Sequence, residues 1–374
     1  MKNSRKHILA LASWFPSRIF LDNGDFIQRH LRAISMLNDV TVVHAIKDKN
    51  LKSNFEIDDS INQNLREIIV YFKPSIFRPF NLIKQFQAFL KGVSLVNNFD
   101  IIHLNVVYPA GLVAFFLKKK YKKPIVLTEH WSGLQSENFK KLAFYKQQLI
   151  RYILRNVDII TPVSIYLKNE IKKLVLHKEF IIIPNVIDLE LFEVLKVERE
   201  SKVKFLHLSN LDDRVKNISG MLNVILKLSQ AGYSFEFHFG GNGDASLISK
   251  FTEEHQLENI IKTFGRLEHS EVCEKMNEMN CFVLFSYYEN QPCVQIEAFA
   301  SGIPVIAKDV GGISEFLPEG FGILVNDETQ LYLAMEEVIN GKKFKSAFEL
   351  NEYAKQHFST IEIAKMFNNI YLKL

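Results

Sequence analysis

The sequence predicts an α/β protein of two doubly wound domains, each a parallel sheet covered by helices. Three observations carry this. Apolar runs of about four to eight residues recur with little polar alternation, as expected of strands buried on both faces. Helix-period stretches separate them, which calls for parallel strands joined by right-handed crossovers. The chain has 374 residues, room for roughly two domains, and its thirteen strand candidates are too many for one sheet.

The first run is HILALAS, from His7. Basic residues before it and Ala10-Leu11-Ala12 within it imitate a secretory signal, but the apolar stretch is too short for an h-region, so it reads as a buried strand. DVTVVHAI, EIIVYF, DIIHLN, PIVLTE, VDIITPV and EFIIIP continue the first domain. AGLVAFFL after Pro109 is helix-sized, and nothing approaches the roughly 18 apolar residues of a membrane span. Pro184-Asn185 is a turn signal, and the charged run Glu198 to Lys202 looks solvated. The boundary is therefore expected near Ile187, with domains of about 1–187 and 188–357.

The second domain carries VKFLHLS, FEFHFG, NIIKTFG, CFVLFS, PVIAK and FGILVN. After the strand Phe282–Phe285, residues Ser286–Gln291 form a loop and Pro292 suits the first turn of a helix. That helix runs to about Ser301, where Gly302 and Pro304 stop it. Val305-Ile306-Ala307 is the next strand, and Gly311-Gly312 is a tight turn into a short helix. The final TIEIAKMFNNIYLKL is apolar at helical spacing.

Composition excludes some classes. Three cysteines without a CxxC make no disulfide framework and fit a reducing cytoplasm. No His/Cys cluster has zinc spacing, and there is no D-x-D triplet. The net charge of +4 hides a division. Met1–Ile187 holds 28 Lys+Arg against 14 Asp+Glu, or +14, and the remainder holds 18 against 28, or −10. The basic half suits an anionic partner. No nucleic-acid motif accompanies it. LKKKYKKP from Leu117, and Lys140-Lys141, Lys146, Arg151 and Arg155 near Phe139, Phe144 and Tyr145, suit an anionic membrane surface; a solvated helix face is the plainer alternative.

The second domain also suggests a site. Glu289 falls where a loop turns into a helix, and Glu297 lies inside that apolar helix. Ligands of such sheets bind beyond the carboxyl ends of the strands. Two helix N-termini there suit phosphates, and carboxylates accept hydrogen bonds from hydroxyls. Together they fit a nucleotide sugar. A helix-dipole glutamate beside a buried salt bridge explains the same residues equally well.

Glu289 and Glu297 with seven residues between them, then Ala298, Gly302-Ile303-Pro304-Val305 and Gly311-Gly312 with Glu315, closely resemble the E-x7-E signature of family-four retaining glycosyltransferases. That resemblance implies the GT-B fold: two Rossmann-like domains facing across a cleft, with the C-terminal helix, 358–374, crossing back to the first. It extends along most of the chain. Ser13–Ser17 with Gly24, Asp25 and Phe26 resembles the family's N-terminal glycine loop, on the acceptor side. Thr128-Glu129-His130-Trp131 resembles its histidine loop. Ile183-Pro184-Asn185 through Asp188 and Phe192 resembles its interdomain element, with Val186 in place of a glycine.

The resemblance implies roles. Glu289 would sit by the donor sugar and Glu297 would hold the ribose. Asn290, Gln291, Pro292, Cys293 and Val294 would lie near the sugar and diphosphate, Cys293 as packing rather than as a nucleophile. Lys216 would neutralise the diphosphate. Asn210 stands where the family has an arginine, and Arg214 is the candidate to compensate. His130 would hydrogen-bond the donor sugar or orient the acceptor, whereas His103 reads as a structural hydrogen-bonder. FGGNGDAS resembles the family's G-x-G-P turn, and Gly265 falls where the nucleobase meets backbone. The implied reaction is metal-independent transfer, with no cofactor beyond the nucleotide sugar, to a glycan or lipid-linked acceptor in polysaccharide or lipopolysaccharide synthesis. The enzyme would be cytoplasmic and peripheral on the inner membrane face. A nucleotide-sugar 2-epimerase and a catalytically silent binding protein remain the alternatives.

Overall fold

The computed structural model describes residues 5–176, 179–192, 194–195 and 202–374, with only the backbone at 78 and 79. Most of the charged run at 198–202 lies outside the described residues. The chain divides into two compact units, Met1–Val186 with Thr360–Leu374, and Ile187–Ser359. Ile187 rather than Asp188 opens the second unit because its N–H bonds to Phe358 O at 2.9 Å and it bridges Ser359.

The first unit has a seven-stranded sheet. Its strands are β1 (His7–Ala12), β2 (Asp39–Lys47), β3 (Phe55–Asn62), β4 (Leu65–Phe72), β5 (Ile101–Asn105), β6 (Ile125–Glu129) and β7 (Ile159–Pro162). They lie in the order β3-β4-β2-β1-β5-β6-β7. All neighbours are parallel except β3 and β4. Its helices are α1 (Asp25–Ser35), α2 (Arg78–Val93), α3 (Gly111–Tyr121), α4 (Ser136–Lys140), α5 (Phe144–Asn156) and α6 (Ile165–Leu174). Strands β1, β5 and β6 are buried on both faces, so their sequences read as continuous apolar runs.

The second unit has six parallel strands: β8 (Val203–Leu208), β9 (Phe235–Gly240), β10 (Ile261–Phe264), β11 (Cys281–Leu284), β12 (Val305–Lys308) and β13 (Gly322–Val325). They lie in the order β10-β9-β8-β11-β12-β13. The helices are α7 (Asp213–Lys216), α8 (Ile218–Gln230), α9 (Ser246–His255), α10 (His269–Asn277), α11 (Cys293–Ala300), α12 (Glu328–Ile339) and α13 (Ala347–Phe358). The last helix, α14 (Thr360–Tyr371), belongs to the first unit, where it packs on α1 and buries Phe367 and Tyr371.

Two elements differ from the sequence expectation. EFIIIP falls short of a full strand: it meets β7 through the Phe180–Ile160 bridge and through backbone bonds from Ile160 N–H to Glu179 O, Ile181 N–H to Ile160 O and Ile183 N–H to Pro162 O. Pro162 and Pro184 lack the N–H that would extend a ladder there. In its place β3 forms a hairpin with β4. Its sequence, FEIDDSIN, is exposed along almost its whole length and rich in residues of low strand propensity. Such charge also suits the sheet edge it occupies.

Candidate active site

In the second sheet the strand order reverses between β8 and β11, and loops leaving two such strands diverge and leave a crevice. Lys216 ends α7, after β8, and Glu289 sits in the loop after β11. Lys216 Nζ lies 2.6 Å from Glu289 Oε1. The two side chains are only 19% and 11% exposed, so the pair is shielded. Two backbone contacts fix it. Tyr287 N–H donates to Val215 O at 2.8 Å, tying the β11 loop to α7. Gly311, in the turn after β12, has φ 63° and packs on the Glu289 carbonyl, so that a Cβ there would stand 1.8 Å from the oxygen. Beneath the pair, His207 of β8 bonds through Nδ1 to Val283 O of β11 at 2.9 Å and through Nε2 to Ser209 Oγ at 2.8 Å. Burial pushes its pKa down to about 4, leaving it neutral.

Pro292 caps α11 with extended backbone. Glu297 is buried at 4% exposure between Ile296 and Ala298. Gln295, on the same helix, donates from Nε2 to Ile313 O and Phe316 O, both at 3.2 Å, and so anchors the Gly311–Phe316 turn. Asn290 and Gln291 are buried, and Cys293 is a half-buried thiol outside any disulfide, beside Val294. The other expected donor contacts are not drawn to the pair. Asn210 is exposed and accepts from Asp212 N–H at 3.3 Å. Arg214 is solvent-exposed and clasps Asp212 through Nε at 3.0 Å and Nη2 at 2.8 Å. Gly265 is exposed after β10 with open space around it. Gly241 and Gly243 lie against the carbonyls of Ser209 and Asn210, where any Cβ would come within 1.7 Å.

In the first unit the reversal falls between β1 and β5. Gly24, at φ 77°, packs on the backbone of Trp14 and Phe15 and opens α1. Asp25 pairs with Arg29 at 3.0 Å. Phe26 meets the His130 ring at 4.5 Å between centroids, and His30 approaches it at 5.2 Å. The glycine loop and the histidine loop therefore share one site. Burial, with His30 and His103 nearby, pushes the His130 pKa well down, while a hydrogen bond with Asn185 opposes this. His130 is a neutral hydrogen-bonder. His103 is fully satisfied, by Thr128 Oγ1 and by Tyr371 O–H, both at 2.7 Å.

Sequence reasoning missed Glu129. Its carboxylate is fully buried at the end of β6 and accepts from the N–H groups of Val107, His130 and Trp131 at 2.8–2.9 Å. Burial raises its pKa to about 7, against those three bonds. An acid closing the apolar run PIVLTE was the available signal. Asn185 and Pro184 were also read as interdomain punctuation only. Pro184 O accepts from His30 Nε2 at 2.9 Å, and Asn185 bonds to His130.

Among the described residues no group of acidic, histidine or cysteine side chains could hold a metal ion, and no helix is long and apolar enough to cross a membrane.

Two family models match the chain, Glycosyltransferase Family 4 over residues 26–191 and Glycosyl transferases group 1 over residues 190–357. A teichuronic acid biosynthesis glycosyltransferase of Bacillus subtilis is 27% identical over 350 residues, covering 87% of each chain. Sucrose-phosphate synthase from Thermosynechococcus elongatus superposes with a TM-score of 0.81 at 19% identity, covering 99% of both chains. HepE of Anabaena in complex with UDP-glucose superposes with a TM-score of 0.76 at 14% identity, covering 99% of this chain and 100% of that one.

Proposed function

The chain is a glycosyltransferase of the family-four type with the GT-B fold, and from that premise we propose that it moves a glycosyl residue from a nucleotide sugar to an acceptor hydroxyl with retention at the anomeric carbon. The observation that carries this reading is the Lys216–Glu289 pair at the reversal point of the second sheet. An ammonium there can neutralise charge that develops on a departing diphosphate. The carboxylate beside it can accept hydrogen bonds from the donor sugar. Glu297, one turn and more along α11, is the residue to hold the ribose hydroxyls, and the first amides of α11 suit phosphate oxygens. In the first unit, neutral His130 would hydrogen-bond the sugar or orient the acceptor.

HepE shares the fold and was solved with UDP-glucose, which supports testing uridine nucleotide sugars first. The teichuronic acid relative supports a cell-surface polysaccharide or its lipid-linked precursor as acceptor class. Lys216 supplies a charge-stabilising role that a divalent cation fills in other transferases, which supports metal-independent transfer. The charge surplus of the first half supports a peripheral place on the inner face of the membrane.

The test is product analysis with a panel of nucleotide sugars, with and without glycan and lipid-linked acceptors. A new glycosidic bond of retained configuration is expected, and only with acceptor. Release of an isomerised sugar nucleotide without acceptor would mark an epimerase instead.

A further inference from the structure

Strand β12 ends in Lys308, a half-buried lysine that no carboxylate answers. Among the described residues its ammonium makes no ion pair and no hydrogen bond. Instead Nζ lies 4.7 Å from the centre of the Tyr287 ring and 5.1 Å from that of the Phe285 ring. Both rings belong to the segment that leaves β11 and carries Glu289. Phe285 is buried in the core that α8 helps to form, so its ring is fixed. Tyr287 is 46% exposed and depends on what holds it. An ammonium is drawn to the face of an aromatic ring, more strongly where water is partly excluded.

The turn after β12 grips this segment at every second residue. Phe285 and Tyr287 meet Lys308, and the Glu289 carbonyl meets Gly311, three residues further on. The stretch from Lys308 to Gly311 is itself fixed. Asp309 N–H donates to Val325 O at 2.9 Å, which carries the pairing with β13 past the strand end, and Val310 N–H donates to Lys308 O at 2.8 Å. Tyr287 passes the position on, since its N–H bonds to Val215 O at 2.8 Å, next to Lys216. Lys308 therefore holds a residue fastened to α7 and belongs to the turn that bounds Glu289. Those are the two sides of the 2.6 Å pair.

We propose that Lys308 is a positioning residue for the transfer reaction: its ammonium holds Phe285 and Tyr287 so that Glu289 meets Lys216 in one geometry. This rests on the glycosyltransferase reading of the pair and adds to it a residue that touches no part of the donor. A lysine that only covered the core would need no more than its aliphatic stem. The ring faces use the charge.

Lys308→Met keeps the stem and removes the charge, and Lys308→Arg keeps a cation that stacks on rings. The methionine variant should lower kcat roughly 3- to 30-fold, the size of a part-shielded cation–π contact, and arginine should restore most of it. The KM for the nucleotide sugar and the Kd for the nucleoside diphosphate should stay within about two-fold of wild type, because the ammonium meets rings and not phosphate. Tyr287→Leu should cost about as much as Lys308→Met, and the double variant little more than either. Normal kcat in Lys308→Met, or a loss that arginine does not relieve, would overturn the proposal. So would a Kd raised roughly ten-fold, which would make Lys308 a phosphate ligand.

Hydrogen exchange at the Tyr287 amide reads the same clamp with no substrate present. It should quicken in Lys308→Met, at unchanged Tm, and return toward wild type in Lys308→Arg. Equal exchange in all three proteins would sink the clamp even where transfer is observed. Faster exchange in Lys308→Met, with no transfer by wild type, would leave the clamp standing and remove the transferase reading instead.

Discussion

Lys216 and Glu289 meet at 2.6 Å from strands that are neighbours in the sheet but far apart in the chain. The loops after β8 and β11 hold the pair together. Removing either member leaves the other charge poorly compensated, and hydrogen bonds to charged groups are worth about 1.5–3 kcal/mol. Glu289→Gln and Lys216→Ala should each lower kcat by roughly 10- to 150-fold. The double variant should lose less than the product of the two, since the residues act together. Steady-state kinetics decide; a folded Glu289→Gln enzyme of normal kcat would remove the pair from the reaction.

Gly311→Ala should be nearly as damaging, although it changes no functional group. The new methyl would stand 1.8 Å from Glu289 O, and φ 63° is unfavourable for alanine. The β11 loop must move, and Glu289 with it. The expected result is a folded protein with a clear loss of Tm and a kcat close to that of Glu289→Gln. Normal kcat would show that the Glu289 backbone position does not matter.

Glu297→Ala should act on binding rather than turnover. The carboxylate is buried in mid-helix, where ribose hydroxyls are the proposed ligands. The donor Kd should rise roughly 10- to 150-fold with kcat changed far less. Isothermal titration with the nucleoside diphosphate alone separates ribose contacts from sugar contacts, and unchanged affinity would rule Glu297 out of the donor site.

Much of this was legible in the sequence because two-face burial writes β1, β5, β6, β8 and β11 as plain apolar runs. Glu289 and Glu297 were legible for the opposite reason, as acids where burial or a helix start makes acids conspicuous. Strand β3 was not, since an exposed edge strand needs no apolar pattern. Nor was the fate of Arg214. A basic residue after β8 looks like a phosphate ligand in sequence, but Asp212, two positions earlier, takes its guanidinium locally. Contacts between distant segments, such as Asn185 with His130 and Tyr371 with His103, leave no local periodicity to read.

Transfer should proceed fully in EDTA. Lys216 is the proposed counter-charge for the leaving diphosphate, so no divalent cation is required there. Activity assayed after chelation, with and without added Mg²⁺ or Mn²⁺, tests this. Loss on chelation and recovery on addition would overturn the metal-free mechanism.

Stability should fall on mild acidification, and Glu129 should soften the fall. Burial holds the pKa values of His30, His44 and His207 at about 4 and that of His103 at about 3, and drives His130 well down. Their unfolded values are near 6.5. Between about 6.5 and about 4 the unfolded chain therefore binds protons that the folded chain does not, and stability present at neutral pH is lost as pH falls. Glu129 works the other way. Its folded pKa is about 7 against an ordinary 4.5, so the folded state takes up a proton first and gains stability over the same acidification. Among the described residues His238 joins the lowered histidines and Glu67 joins Glu129, so six groups oppose two and the net slope remains a loss. Replacing Glu129 by Gln removes one opposing contribution and leaves that of Glu67, whose carboxyl pKa burial also raises, so the variant should lose more stability than wild type between about pH 7 and about pH 5. Urea unfolding at the two pH values measures both slopes. Parallel slopes would mean that Glu129 stays ionised in the fold, held so by the three N–H groups of Val107, His130 and Trp131, and that the histidine loop is organised around a charge.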